Sequence, residues 1–138
     1  MVKAKVWRLV KIFEGAPKDS DFELVEEELP ALEDGQFLAE AECWSVDPYQ
    51  RAYVKLGMGG TFGGQFPMPM FGYQVAKVVE SRNGKFPVGS HVVSHAGWRS
   101  ATIFSVVGKA VDQPPYLVSP ALDAFPLTYS IGVLGMPG

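Results

Sequence analysis

Gln36-Phe37-Leu38-Ala39-Glu40-Ala41-Glu42-Cys43-Trp44-Ser45-Val46, running into Asp47-Pro48-Tyr49-Gln50-Arg51, is the stretch on which the fold turns. Its first part alternates. Leu38, Glu40 and Glu42 share one face; Phe37, Ala39, Ala41 and Cys43 share the other. That is the two-residue period of a half-buried strand. Asp47-Pro48 then stops it. An aspartate there can accept a backbone hydrogen bond, and proline suits the first helical position. One to two helical turns are expected over residues 50–56.

Working outward, residues 3–13 and 22–27 read as strands, separated by turn chemistry at residues 15–21 and followed by Pro30 and Glu33-Asp34-Gly35. Residues 73–81 form another strand. Arg82-Asn83-Gly84-Lys85 carries the Asn-Gly hairpin signal. Residues 91–94 and 97–107 read as strands, and Lys109-Ala110-Val111 as a short edge strand stopped by Pro114 and Pro115. Residues 57–71 hold five glycines and read as a long loop. After Pro120 the pattern turns helical, over residues 121–125 and 127–134. Seven or eight short strands with turns every roughly 8–12 residues make a mainly β chain, a small barrel with short helices and a helical C-terminal tail. The expected division is a barrel domain over residues 1–120 and a helical segment over residues 121–138.

Composition agrees. Of 138 residues, 47% are hydrophobic and 20% charged, which argues against disorder. Glycine (15) and proline (11) are too many for a helical bundle. Length allows one core and not two. The single cysteine, Cys43, excludes an intrachain disulfide and fits a reducing, cytoplasmic setting. No signal peptide or apolar membrane span is visible. Residues 1–47 carry net −7 and residues 48–138 net +4, without a basic cluster of the kind that binds nucleic acid. The acidic run Glu26-Glu27-Glu28 reads as a solvated strand end or turn.

Several arrangements invite chemistry. His91 and His95 are four apart, but on a strand that spacing separates them by roughly 13 Å, too far for one metal ion. Acidic neighbours argue against a reactive Cys43. The glycines from Gly57 to Gly64 lack the strand–helix frame of a dinucleotide fingerprint, and Pro67 and Pro69 forbid a following helix. Tyr49 and Tyr73 each end a strand beside a flexible segment. A phenol there suits a partly apolar carbonyl compound, and it equally suits a simple aromatic cap on the core.

Ser20-Asp21-Phe22-Glu23-Leu24, Val46-Asp47-Pro48-Tyr49-Gln50-Arg51, the segment Gln74-Val75-Ala76-Lys77-Val78-Val79-Glu80-Ser81, Gly97-Trp98 and Gly135-Met136-Pro137-Gly138 together resemble the zinc-independent branch of the medium-chain dehydrogenase/reductase superfamily. The likeness runs in order from residue 1 to 138 and departs at Gln50, where methionine is usual. It implies a GroES-like N-terminal domain on the substrate side of the enzyme. It further implies NADPH-dependent reduction of the carbon–carbon double bond of α,β-unsaturated ketones and aldehydes, such as 15-oxo-prostaglandins and alkenals, and oxidation of leukotriene B4. Hydride goes to the β carbon, and hydrogen bonding stabilises the enolate before protonation. The resemblance casts Tyr49 and Tyr73 as substrate-positioning residues and Arg51 as a holder of that segment or of an anionic tail. It brings Met136, Pro137 and Gly138 toward the nicotinamide. Asp47 stands where zinc-dependent members keep a cysteine, so no zinc is expected. The Rossmann segment would follow Gly138, so these residues alone are expected to be inactive. Leu127, Ile131 and Leu134 are expected to be exposed and sticky, covered by self-association as a homo-oligomer. Two other readings stand beside this one: a stand-alone binding barrel for apolar carbonyl lipids, and a co-chaperonin-like module using residues 57–71 as its partner loop.

Overall fold

The computed structural model describes residues 2–56, 66–105 and 114–135. The elements run β1 (Val2–Leu9), β2 (Phe22–Leu29), β3 (Gln36–Trp44), α1 (Pro48–Leu56), β4 (Met68–Pro69), β5 (Gln74–Ser81), β6 (His91–Ser94), β7 (Ala101–Ser105) and β8 (Tyr116–Leu117). They make a three-stranded antiparallel sheet, β2-β1-β4, and a five-stranded one, β7-β3-β5-β6-β8. The mainly β reading holds. Among the described residues, however, the two sheets do not close into one barrel. They are seamed along β1 instead.

Residues 98–100 form that seam. Val6 bridges Arg99, Trp7 N–H donates to the Trp98 carbonyl, and Ser100 N–H donates to the Lys5 carbonyl. Arg99 also donates to Glu27 at 2.9 Å. The acidic run is the solvated end of β2 and no turn, with Glu26 and Glu28 exposed, and Glu27 ties that strand to the seam.

The alternation of β3 is only half of its packing. Phe37 and Ala39 join Ala76, Val78, Phe86 and Val92, with Phe37 stacked 4.3 Å from Phe86 and 5.0 Å from Phe104. Leu38, expected on the charged face, is buried with Ala4, Leu29, Leu32 and Ala101. The three-stranded sheet covers that face, so this end of β3 is buried on both sides. Register shifts against β5 fall between Leu38 and Ala39 and between Ala41 and Cys43.

Other expectations change. Asn83-Gly84 does not make a two-residue hairpin. Asn83 donates to the Gly35 carbonyl and accepts from Lys85 N–H, and β6 begins only at His91. Part of the expected long loop is core: Met68, Met70 and Phe71 pack with Leu9, Phe13 and Val54, and β4 pairs with β1. Its earlier part, residues 57–65, and the expected edge strand Lys109-Ala110-Val111 lie outside the described residues. The tail is tighter than an α-helix, with 3-10 turns at Pro120–Leu122 and Leu127–Ser130. Ile131 is buried and Leu127 partly buried against Val75 and Val93, contrary to expectation; Leu134 is exposed, together with Phe125, Tyr129 and Val133. Ile131 and Leu127 turn inward because β5 and β6 offer Val75 and Val93 on that face. No helix among the described residues is long and apolar enough to cross a membrane.

Candidate functional site

The first turn of α1 is held by side chains from both sides. Ser45 Oγ donates to Asp47 Oδ2 at 2.6 Å. Asp47 N–H donates to Gln50 Oε1 at 2.7 Å, and Gln50 Nε2 donates to the Phe71 carbonyl at 2.6 Å. Gln50 thus caps backward onto the Asp47 N–H and clamps a second segment. Asp47 and Gln50 are both buried, and these bonds are what make that tolerable.

The 70–73 segment is fixed equally tightly. Ser45 N–H donates to the Tyr73 carbonyl, Gly97 N–H to the Gly72 carbonyl, and Trp98 N–H to the Met70 carbonyl. Gln74 Nε2 reaches the Gly97 carbonyl at 2.7 Å. Gly97 sits at φ +85°, and a Cβ there would run into the Met70 carbonyl, so this approach requires glycine.

This frame brings three segments together at one imidazole. The Tyr49 hydroxyl is 2.8 Å from His95 Nε2. The Tyr73 ring stands edge-on to the same imidazole, centroids 4.8 Å apart at 77°. Phe71 and Tyr53 complete the aromatic group around Tyr49, at 6.1 and 5.6 Å. Burial pushes the Tyr49 phenol well above its ordinary pKa, and the Asp47 carboxylate adds to the rise. Burial also holds His95 below its ordinary value. Near neutral pH the phenol keeps its proton and the imidazole is uncharged.

Tyr73 also lines a cavity of about 210 Å³, with Asp47, Val93, Tyr116, Ile131 and Leu134 around it. A dry cavity of about 150 Å³ already admits benzene, and drug-sized ligands need about 300 Å³ or more. The space suits one small ring or a short enone. Burial raises the Tyr116 phenol, and Tyr73 adds to it.

Tyr49 and Tyr73, singled out from sequence, are therefore joined through one histidine. Arg51 is not part of the group: it is exposed on α1, roughly 200° round the helix from Tyr49. Met136, Pro137 and Gly138 lie outside the described residues, directly after Gly135 on the cavity rim. The sequence reading missed His95, weighed only as a metal ligand with His91, and Gln50. Cys43 is partly buried, and burial raises its thiol. Among the described residues no three His, Cys, Asp or Glu side chains are grouped to hold a metal.

A family profile described as "N-terminal domain of oxidoreductase" matches residues 5–111. Prostaglandin reductase 1 of Oryctolagus cuniculus is 45% identical over the whole chain, which spans 36% of that relative. The 2-alkenal reductase (NADP(+)-dependent) of Nicotiana tabacum is 33% identical over 90% of the chain and 35% of its own length. Among solved structures, CurA from Vibrio vulnificus in complex with NADPH superposes with a TM-score of 0.77 at 26% identity, covering 97% of this chain and 37% of that one.

Proposed function

The chain belongs to the family of N-terminal domains of oxidoreductases, and on that premise we propose that it is the substrate-side domain of an NADPH-dependent reductase. Its reaction is reduction of the carbon–carbon double bond of α,β-unsaturated ketones and aldehydes. The observation that carries this reading is the convergence of Tyr49 and Tyr73 on His95, with Tyr73 also lining a small, largely apolar cavity. A protonated, partly buried phenol can donate to a carbonyl oxygen as negative charge develops there. Tyr73 and the apolar wall of Val93, Ile131 and Leu134 position the carbon skeleton.

The cavity has no room for a dinucleotide, so it fits only the nicotinamide end of NADPH. When bound, NADPH supplies the hydride for the β carbon. Met136, Pro137 and Gly138 would hold the near side of that ring, and a separate cofactor domain the rest. Tyr49 and Tyr73 orient the substrate. Arg51, exposed on α1, serves an anionic tail rather than the carbonyl. No zinc enters the reaction. The lone thiol and the charge pattern support a cytoplasmic setting, with no role in nucleic-acid or membrane binding.

The test is a chimera of residues 1–138 with the remainder of the rabbit prostaglandin reductase 1. It should oxidise NADPH in the presence of 2-alkenals, while residues 1–138 alone should not. Tyr49→Phe should lower kcat/KM roughly tenfold. A chimera that folds and binds NADPH yet reduces no enone would overturn the proposal, as would turnover by residues 1–138 alone.

A further inference from the structure

The next step rests on the site taking an unsaturated carbonyl compound. Tyr49 has one phenolic proton, and its oxygen is 2.8 Å from His95 Nε2. Two arrangements satisfy that contact. In one, Tyr49 donates to a bare Nε2. Its proton is then spent on the protein, and the phenolic oxygen can only accept from a ligand. In the other, Nε2 carries the hydrogen and donates to the phenolic oxygen, leaving the phenol's own proton for the ligand.

A ketone or aldehyde oxygen is an acceptor only. Tyr49 can engage it in the second arrangement and not in the first. We infer that His95 is a positioning residue that directs its Nε2–H toward Tyr49 and so aims the Tyr49 proton at the substrate carbonyl. The imidazole is held for this role by the edge of Tyr73 and by Phe71, whose ring lies 6.3 Å away. Donors in series, N–H to O–H to carbonyl, strengthen one another in a partly buried setting. The neutral imidazole and protonated phenol described above give each group the hydrogen this chain of donors needs.

The test uses this chain with its histidines labelled by nitrogen-15 and 4-phenyl-3-buten-2-one as the probe. Long-range proton–nitrogen spectra identify which ring nitrogen of His95 is protonated. With the probe bound, Nε2 should be the protonated nitrogen. His95→Leu should weaken ketone binding roughly threefold to tenfold. His95→Gln, whose amide can donate from a similar reach, should stay within about twofold of the wild type. The hydrocarbon 1-phenyl-1-butene, the same skeleton without oxygen, should bind all three proteins alike. A merely structural role for His95 would weaken ketone and hydrocarbon together. A bare Nε2 in the complex, unchanged ketone affinity in His95→Leu, or parallel loss of both ligands overturns the inference and leaves the carbonyl reading standing. A wild type that shows no preference for the ketone over the hydrocarbon, or binds neither, overturns both. The protonation state is read on the wild type, so the question is decided whether or not His95→Leu folds.

Discussion

A methyl group placed on Gly72 would lie 2.5 Å from Gln50 Nε2, the same nitrogen that donates to the Phe71 carbonyl. The glycine is what lets the glutamine clamp reach the backbone beside Tyr73. Gly72→Ala is therefore expected to displace the amide and cost about 1–3 kcal/mol in urea unfolding. Gly84→Ala is the control. Nothing lies within 4 Å of its Cβ and its φ is ordinary, so it should stay within about 0.5 kcal/mol.

Gln50 itself can be tested by a substitution that keeps its shape and removes its hydrogen bonds. Gln50→Met keeps a flexible side chain of similar size but removes the acceptor of the Asp47 N–H and the donor to the Phe71 carbonyl. Losing the acceptor of the buried Asp47 N–H alone costs about 1–3 kcal/mol. The expected outcome is a lower urea midpoint together with weaker amide-exchange protection at Asp47.

Acid should weaken the fold through His95. Burial lowers its folded pKa beneath the unfolded value of about 6.5. On acidification the unfolded chain takes up the proton first. The stability from keeping His95 neutral is complete above about pH 6.5 and is lost as pH falls through the folded value. The urea midpoint of the wild type should drop further between about pH 7.5 and 5.5 than that of His95→Gln.

The Phe37 stack is the best place to break the five-stranded sheet. Phe37 is fully buried between Phe86 and Phe104. Phe37→Ala should cost about 3–5 kcal/mol, because the two remaining rings cannot collapse onto one methyl. Thermal unfolding measures the loss, and Phe37→Leu should recover more than half of it.

The signals that were legible in the sequence are local ones. Asp47-Pro48 starts α1 because a turn and a fixed φ are properties of adjacent residues. The alternation of β3 and the valines of β5 likewise state their strands outright. What was not legible depends on distant partners. Tyr116–Leu117 is a strand only because Val92 and Val93 pair with it. Leu38 is core only because β1 and β2 cover it. Asn83-Gly84 fails as a hairpin because Asn83 is engaged by Gly35, 48 residues away. The site divides in the same way. Tyrosines at strand ends could be singled out one by one, whereas the meeting of Tyr49 and His95 spans 46 residues and has no local signature.

The seam along β1 sets an order of events in time. Lys5 and Ser100 are 95 residues apart in the chain. At about 5–20 residues per second, synthesis delivers Ser100 roughly 5–20 s after Lys5. For that interval the middle of β1, around Lys5 and Val6, has only β2 beside it, because β4 covers the other edge only at Arg8 and Leu9. Closing so long a loop is also entropically slow. β1, the earliest of these strands to be made, is thus among the last to be finished, and Glu27, reaching across to Arg99, ties its sheet to the seam only once residue 99 has been made.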